Sequence, residues 1–321
     1  MFAMKVIVNP KAGGGRALKV LRRAKQVLTN TGWALDISIT EGPGHAVEMA
    51  NQAVLKQVPL ITVIGGDGTV NEVIQGIAGT QTRLAIIPGG TGNDHARSLT
   101  IPLQPEKAAA VIAQGKVIAM DIGQERERLF GCLTAIGFPV DVIDHTNRKG
   151  RILGGSFAIL SSVWQTLKNL RAYDALIQLD GESMFVKTCG IFVLNTPSVG
   201  GGFRFAPHAN ITDGLLDVMV VGPVSSWDLL TTLPKAYKGR HIGHPAISLH
   251  RAKKVHIETV KPVPKMFDGE IIGMTPIEVN VRPKSLYLVV PQSFPEPGPL
   301  LEEELANQKQ QIPTALAKVG L

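Results

Sequence analysis

A five-residue run, Leu60 to Ile64, apolar but for Thr62, leads straight into Gly65-Gly66-Asp67-Gly68-Thr69, and few folds accept that junction. A short continuous apolar run suits a strand buried on both faces, as in a parallel sheet covered by helices. The glycines let the backbone turn tightly and aim N–H groups at an anion. Val70 to Ile77 then reads as a helix whose positive N-terminal end points at the same place. Leu84 to Ile87 repeats the device, with Pro88-Gly89-Gly90-Thr91-Gly92-Asn93-Asp94 as its turn. Lys5 to Val8 does so again, ahead of Asn9-Pro10-Lys11-Ala12-Gly13-Gly14-Gly15. Strand, turn and helix alternate, predicting an α/β layer with a largely parallel sheet. Ligands of such sheets bind beyond the carboxyl ends of the strands, so the three turns are expected to wall one crevice.

An acid inside a phosphate-binding turn repels its ligand. Asp67 makes sense there if a magnesium ion bridges it to phosphate oxygens. Thr69, Asn71, Thr91 and Asn93 add hydrogen-bonding groups. No Gly-x-x-x-x-Gly-Lys-Ser/Thr sequence occurs, which excludes a P-loop enzyme. No Gly-x-Gly-x-x-Gly follows the first strand, which argues against a dinucleotide-dependent dehydrogenase.

After about Asp121 the pattern changes to short strands: Ala175–Leu179, Phe185–Val193, Leu216–Val221, Lys254–Glu258, Ile277–Val281 and Leu286–Val290. Asp180-Gly181, Asp213-Gly214 and Asp268-Gly269 separate several of them, predicting an antiparallel β domain. A helical insert, Phe157 to Leu170, interrupts it. Trp164 and Leu167 lie on its apolar stripe, with Arg148, Lys149, Arg151, Lys168 and Arg171 around it. Such a helix either packs on the sandwich or lies on an anionic membrane. Gly200-Gly201-Gly202-Phe203 reads as a substrate mouth or a flexible loop. From Pro291 the chain turns polar, with a partial helix or a loose tail over 300–319.

The 321 residues are 44% hydrophobic and carry a formal charge of +7. That rules out a disordered chain and suits an anionic partner. No aromatic-basic interleaving points to nucleic acid. Cys132 and Cys189 lack metal-ligand spacing and are read as reduced core thiols, which fits a cytoplasmic compartment. No stretch approaches the length of a spanning helix, so membrane work is expected from the surface.

Together "NPKAGGG", "GGDGTVNEV" and "PGGTGND", in that order, resemble the catalytic domain of diacylglycerol kinases, sphingosine kinases and their bacterial relatives. "APHANITDGLLDV" at 206–218 and "FDGE" at 267–270 extend the likeness over residues 5–290. The resemblance implies a phosphofructokinase-like α/β domain that binds ATP and an antiparallel β-sandwich domain that faces a lipid. Residues 1–124 would form the first, with 292–321 returning to it, and 125–291 the second. Asp67 and Asp94 would then sit at the nucleotide phosphates and their Mg²⁺. Asn9, Pro10, Gly13, Thr40, Gly65, Gly66, Gly68, Thr69, Val70, Asn71, Glu72, Thr91 and Asn93 would contact ATP. Asp213, with the main-chain carbonyls of Asn210 and Leu215, would hold a structural Mg²⁺, against the alternative of a plain hairpin turn at Asp213-Gly214. Glu270 would be the general base, with Asp268 on the same strand face.

The glycine-aspartate turn also occurs in NAD kinases and phosphofructokinases, so a small-molecule kinase is the alternative. A catalytically silent lipid- or nucleotide-binding protein is the other. The expected partner is a lipid at a membrane surface, with peripheral association, and a homodimer is left open.

Overall fold

The computed structural model describes residues 3–148 and 156–295. The first half alternates as β1 (Ala3–Val8), the one-turn α1 (Ala12–Gly15), α2 (Ala17–Thr29), β2 (Ala34–Ile39), α3 (His45–Leu55), β3 (Leu60–Gly65), α4 (Asp67–Ile77), β4 (Arg83–Pro88), α5 (Asp94–Ser98) and α6 (Pro105–Gln114). Strands pair in the order β2-β1-β3-β4, all parallel. Every residue of β3 is buried. α3 packs on α4 and α2 on α6. Both sheet faces are thereby covered, which is why the inner strands β3 and β4 are buried almost end to end, while the edge strand β2 is only partly buried.

The second half continues as β5 (Lys116–Glu125), β6 (Arg128–Phe130), β7 (Leu133–Gly137), α7 (Phe138–Arg148), α8 (Ser156–Lys168), β8 (Tyr173–Leu179), β9 (Glu182–Thr188), β10 (Gly190–Leu194), β11 (Leu216–Val221), α9 (Ser226–Ala236), β12 (Ile247–Ala252), β13 (Lys254–Thr259), β14 (Pro264–Phe267), β15 (Glu270–Met274) and β16 (Ile277–Val290). A six-stranded antiparallel sheet runs β12-β11-β10-β7-β14-β15. One apolar cluster, including Ile136, Ile191, Val218, Ile257 and Val279, fills the space between it and the β16-β13-β8 region of the larger sheet. A second, including Ala135, Phe192, Met219, Val142, Val163 and Leu233, lies beneath α7, α8 and α9. The inner strands β7, β10 and β11 are thus buried on both faces.

Two expected strands fuse and one splits. Ile277–Val281 and Leu286–Val290 form the single β16, with a register shift between Arg282 and Leu286 where Lys284 takes φ 51°. β16 pairs antiparallel with β13 at its start and parallel with β4 at Tyr287 and Leu288. One strand therefore joins the two halves into a ten-stranded sheet. Phe185–Val193 breaks at Cys189, so β9 and β10 enter different sheets. The helical insert spans Ser156–Lys168. Side chains of Arg148, Phe157 and Leu160, and residues Lys149 and Arg151, lie outside the described residues.

Gln292 Nε2 donates to Gln114 O at 3.0 Å, and Phe294 packs on the core of the first half. The remainder of the expected returning segment, residues 296–321, lies outside the described residues.

Candidate active site

Glycine lets the three turns touch. A Cβ on Gly90 would stand 2.5 Å from Gly66 Cα, and one on Gly13 would stand 2.3 Å from Gly89 O. Gly13 and Gly14 also take φ of 59° and 71°, open to glycine at little cost. The turns are stitched by Asn9 N–H to Ile64 O at 3.0 Å and Gly89 N–H to Gly65 O at 2.8 Å. Asn9 Nδ2 donates to Thr69 Oγ1 at 2.9 Å. α4 begins without a side-chain cap at Gly66, leaving its first N–H groups available to an anion.

Beside this junction lies a cleft of about 120 Å³ lined by Asn9, Lys11, Thr40, Glu41, Gly42, Pro43, Thr69 and Glu72. Four of the residues expected at the nucleotide converge there. Others have different neighbours. Val70 buries its side chain in the core. Asn71 Oδ1 accepts from Gln75 Nε2 at 3.0 Å. Asn93, at φ 53°, spends its amide on both main-chain groups of Gly90, at 2.9 and 3.1 Å.

Asp67 and Asp94 meet next to Gly92. A Cβ there would lie 3.0 Å from Asp67 Oδ2 and 3.3 Å from Asp94 Oδ2. Asp94 Oδ1 accepts the N–H groups of Gly201 at 2.8 Å and Gly202 at 3.2 Å. The loop read as a mouth or connector thus fixes one of the two carboxylates. Burial and the neighbouring charge of Asp67 push the Asp94 carboxyl up to about 7. Burial raises Asp67 too, but the His95 ring and main-chain N–H outweigh it and hold Asp67 below its ordinary range. His95 Nδ1 lies 3.3 Å from Asp67 Oδ1, and its Nε2 lies 3.5 Å from Cys132 Sγ. Burial opposes a charge on His95, yet its Cys132 and Asp67 neighbours raise its pKa well above the ordinary value. Burial pushes the Cys132 thiol up to about 11, so near neutrality Asp67 is the charged partner that counts.

Two crowded carboxylates, one with its titration displaced to neutrality, fit a divalent cation between protein and phosphate. The folded Asp94 carboxyl binds a proton over the window from 3.8 to about 7, where the unfolded one does not. Stability therefore falls as pH rises through that window, by on the order of 4 kcal/mol from this group without metal. We expect Mg²⁺ to raise the melting temperature more at pH 8 than at pH 5, and Asp94→Asn to lose that difference. An equal Mg²⁺ effect at both pH values in the wild type would contradict it.

At the other candidate cation site, Asp213 Oδ1 accepts Leu215 N–H at 3.0 Å, while Oδ2 is buried with no partner. Burial raises Asp213, and Asp121 nearby adds like charge. Asp121 accepts Gly214 N–H at 2.6 Å and Lys284 N–H at 2.7 Å. A buried carboxylate oxygen with no partner fits a hard cation, and main-chain carbonyls such as those of Asn210 and Leu215 would have to supply its other ligands. The Asn210 side chain is occupied with Thr212, at 2.8 and 3.1 Å. Among the described residues, no three His, Cys, Asp or Glu side chains converge as a metal cluster, so carbonyls and phosphates would have to complete either site.

Asp268 and Glu270 do not share a strand face. Asp268 at φ 45° and Gly269 at φ 85° make the tight turn between β14 and β15. The Asp268 carboxylate points inward and accepts the N–H groups of Gly131, Cys132 and Leu133 at 2.8, 2.9 and 2.9 Å. Glu270 opens β15 on the outside, 55% exposed and ion-paired with Arg128.

From this acidic end a cavity of about 280 Å³ runs into the second half. Asp67, Asp94, His95, Cys132 and Asp268 line one end. Phe138, Val142, Val163, Phe192, Phe205, Leu233 and Met266 line the rest. Sequence reasoning left His95 and Arg128 unassigned and gave Asp268 the wrong direction. Its only hint of His95 was a polar residue directly behind Asp94.

Residues 3–125 match the diacylglycerol kinase catalytic domain family, and 134–290 match the YegS C-terminal NAD kinase β-sandwich-like domain. A diacylglycerol kinase of Mycobacterium tuberculosis is 34% identical over 294 residues, covering 89% of this chain and 94% of that protein. One from Bacillus subtilis is 30% identical, covering 92% and 99%. A crystal structure of a diacylglycerol kinase from Bacillus anthracis superposes with a TM-score of 0.72 at 26% identity, covering 91% and 98%. The chain belongs to the diacylglycerol kinase family of lipid kinases, with the catalytic domain followed by the β-sandwich.

Proposed function

We propose that this protein transfers the γ-phosphoryl group of ATP to the hydroxyl of a lipid such as diacylglycerol, working from a membrane surface. One observation carries the reading: the cavity is apolar along its length and acidic only where it meets the glycine turns. An acceptor with a long apolar part and one reacting hydroxyl matches that distribution. An NAD-kinase-like acceptor would need polar partners along the same walls.

Phosphoryl transfer asks mostly for positioning and charge neutralisation. The uncapped start of α4 and the N–H groups of the glycine turns would hold the phosphates, with Asn9, Thr40, Thr69 and Glu72 around the remainder of the nucleotide. Asp67 and Asp94 would hold Mg²⁺, which when bound neutralises phosphate charge. Glu270 would accept the proton of the lipid hydroxyl, its carboxylate steered by Arg128. Asp213, with the carbonyls of Asn210 and Leu215, would hold the second, structural ion.

The test is labelled ATP with Mg²⁺ and a panel of hydroxyl lipids: diacylglycerol, phosphatidylglycerol and a sphingoid base. We expect label in at least one lipid. In Glu270→Gln the turnover should fall by about 10²- to 10⁴-fold with ATP affinity retained. Full turnover in Glu270→Gln would remove the general-base role. Labelling of NAD in place of lipid would overturn the acceptor.

A further inference from the structure

We propose that the outer faces of α8 and α9 form the surface by which this protein lies on an anionic phospholipid bilayer. This rests on the reading of the cavity as the lipid's site. Both helices separate that cavity from solvent: Val163 and Leu233 face into it, while Trp164 and Trp227 point out, 53% and 70% exposed. Trp164 directly follows the cavity-lining Val163, and Trp227 sits in the first turn of the helix that carries Leu233; most of each ring faces water in the isolated chain. An indole gains most at a bilayer interface, where its ring sits among headgroups.

The two tryptophans lie on neighbouring elements. α8 and α9 are in contact, and Ser226 Oγ donates to Leu167 O at 2.5 Å. Trp227 follows Ser226 directly, and Trp164 stands one turn before Leu167. Exposed cations continue both stripes. Lys168 lies four residues after Trp164, with Arg171 beyond it; Lys235 lies eight after Trp227, with Lys238 beyond. The acid on α9, Asp228, is engaged in the capping box with Ser225. An aromatic pair flanked by exposed lysines and arginine complements an anionic, apolar surface. It would also set the lipid-binding wall against the lipid's own source.

The full chain should co-sediment with phosphatidylcholine vesicles containing phosphatidylglycerol, and much less with phosphatidylcholine alone. Tryptophan emission should shift to the blue on binding. Trp33, the remaining tryptophan, packs against the core of the first half and would not contribute. Trp164→Ala with Trp227→Ala, and separately Lys168→Glu with Lys235→Glu, should each weaken vesicle binding by about tenfold or more. Both should keep wild-type turnover on a short-chain acceptor dispersed as monomers. Wild-type vesicle affinity in both double variants overturns the proposal, as does a stable dimer in solution that both variants dissolve. Vesicle binding is read without catalysis. Failure to phosphorylate any lipid, with binding lost in the variants as expected, would sink the acceptor reading and leave the surface standing.

Discussion

Asp67→Asn is expected to lower turnover by about 10³-fold or more while leaving the protein folded. The carboxylate lies beside Asp94 at the junction of the glycine turns, with His95 behind it. An asparagine oxygen can still accept the His95 N–H groups, so the local hydrogen bonds survive. What disappears is one of two charges that would hold the cation on the phosphates. The same change removes a cause of the Asp94 shift, so that carboxyl should titrate below about 7. Steady-state kinetics with saturating ATP, together with thermal melts, check both halves. Turnover within tenfold of wild type would remove Asp67 from the phosphate site.

Asp268→Ala should produce the largest stability loss of any single change at the site, about 3–5 kcal/mol in urea denaturation. Its carboxylate is partly buried at the end of the cavity and serves three consecutive main-chain donors, Gly131, Cys132 and Leu133. Truncation leaves three buried N–H groups without a partner, and each costs about 1–3 kcal/mol. Asp268→Asn retains an accepting oxygen and tolerates the φ of 45°, so it should lose less. Equal losses in the two variants would mean that charge, not acceptor geometry, holds the segment.

Those two residues mark where the sequence was legible and where it was not. The turn that carries Asp67 could be read because its frame is local: a buried strand, glycines and a helix start, contiguous from Leu60 to Ile77. Asp268 could not, since its role depends on a positive φ that reverses the side chain and on donors more than 130 residues away. His95 was missed for the same reason, as Cys132 reaches it from another strand region. The parallel half was clear because burial on both faces leaves uninterrupted apolar runs. Cys189 hid the break between β9 and β10, since strand-forming residues, Phe185-Val186 before it and Ile191-Phe192-Val193 after it, continue on both sides. α7 and α9 went unread: Phe138-Pro139 and Pro234 disguise them as turns, although Pro139 falls in the first turn of its helix, where no N–H partner is lost.

The proposed function puts ATP against the glycine turns and a lipid hydroxyl in the adjoining cavity of one crevice. Its most direct measurement is label transfer from γ-labelled ATP to diacylglycerol by the wild-type protein with Mg²⁺. A labelled phospholipid is expected, its formation needing both lipid and Mg²⁺. Nucleotide binding with label released only to water, or passed to a water-soluble acceptor, would contradict it.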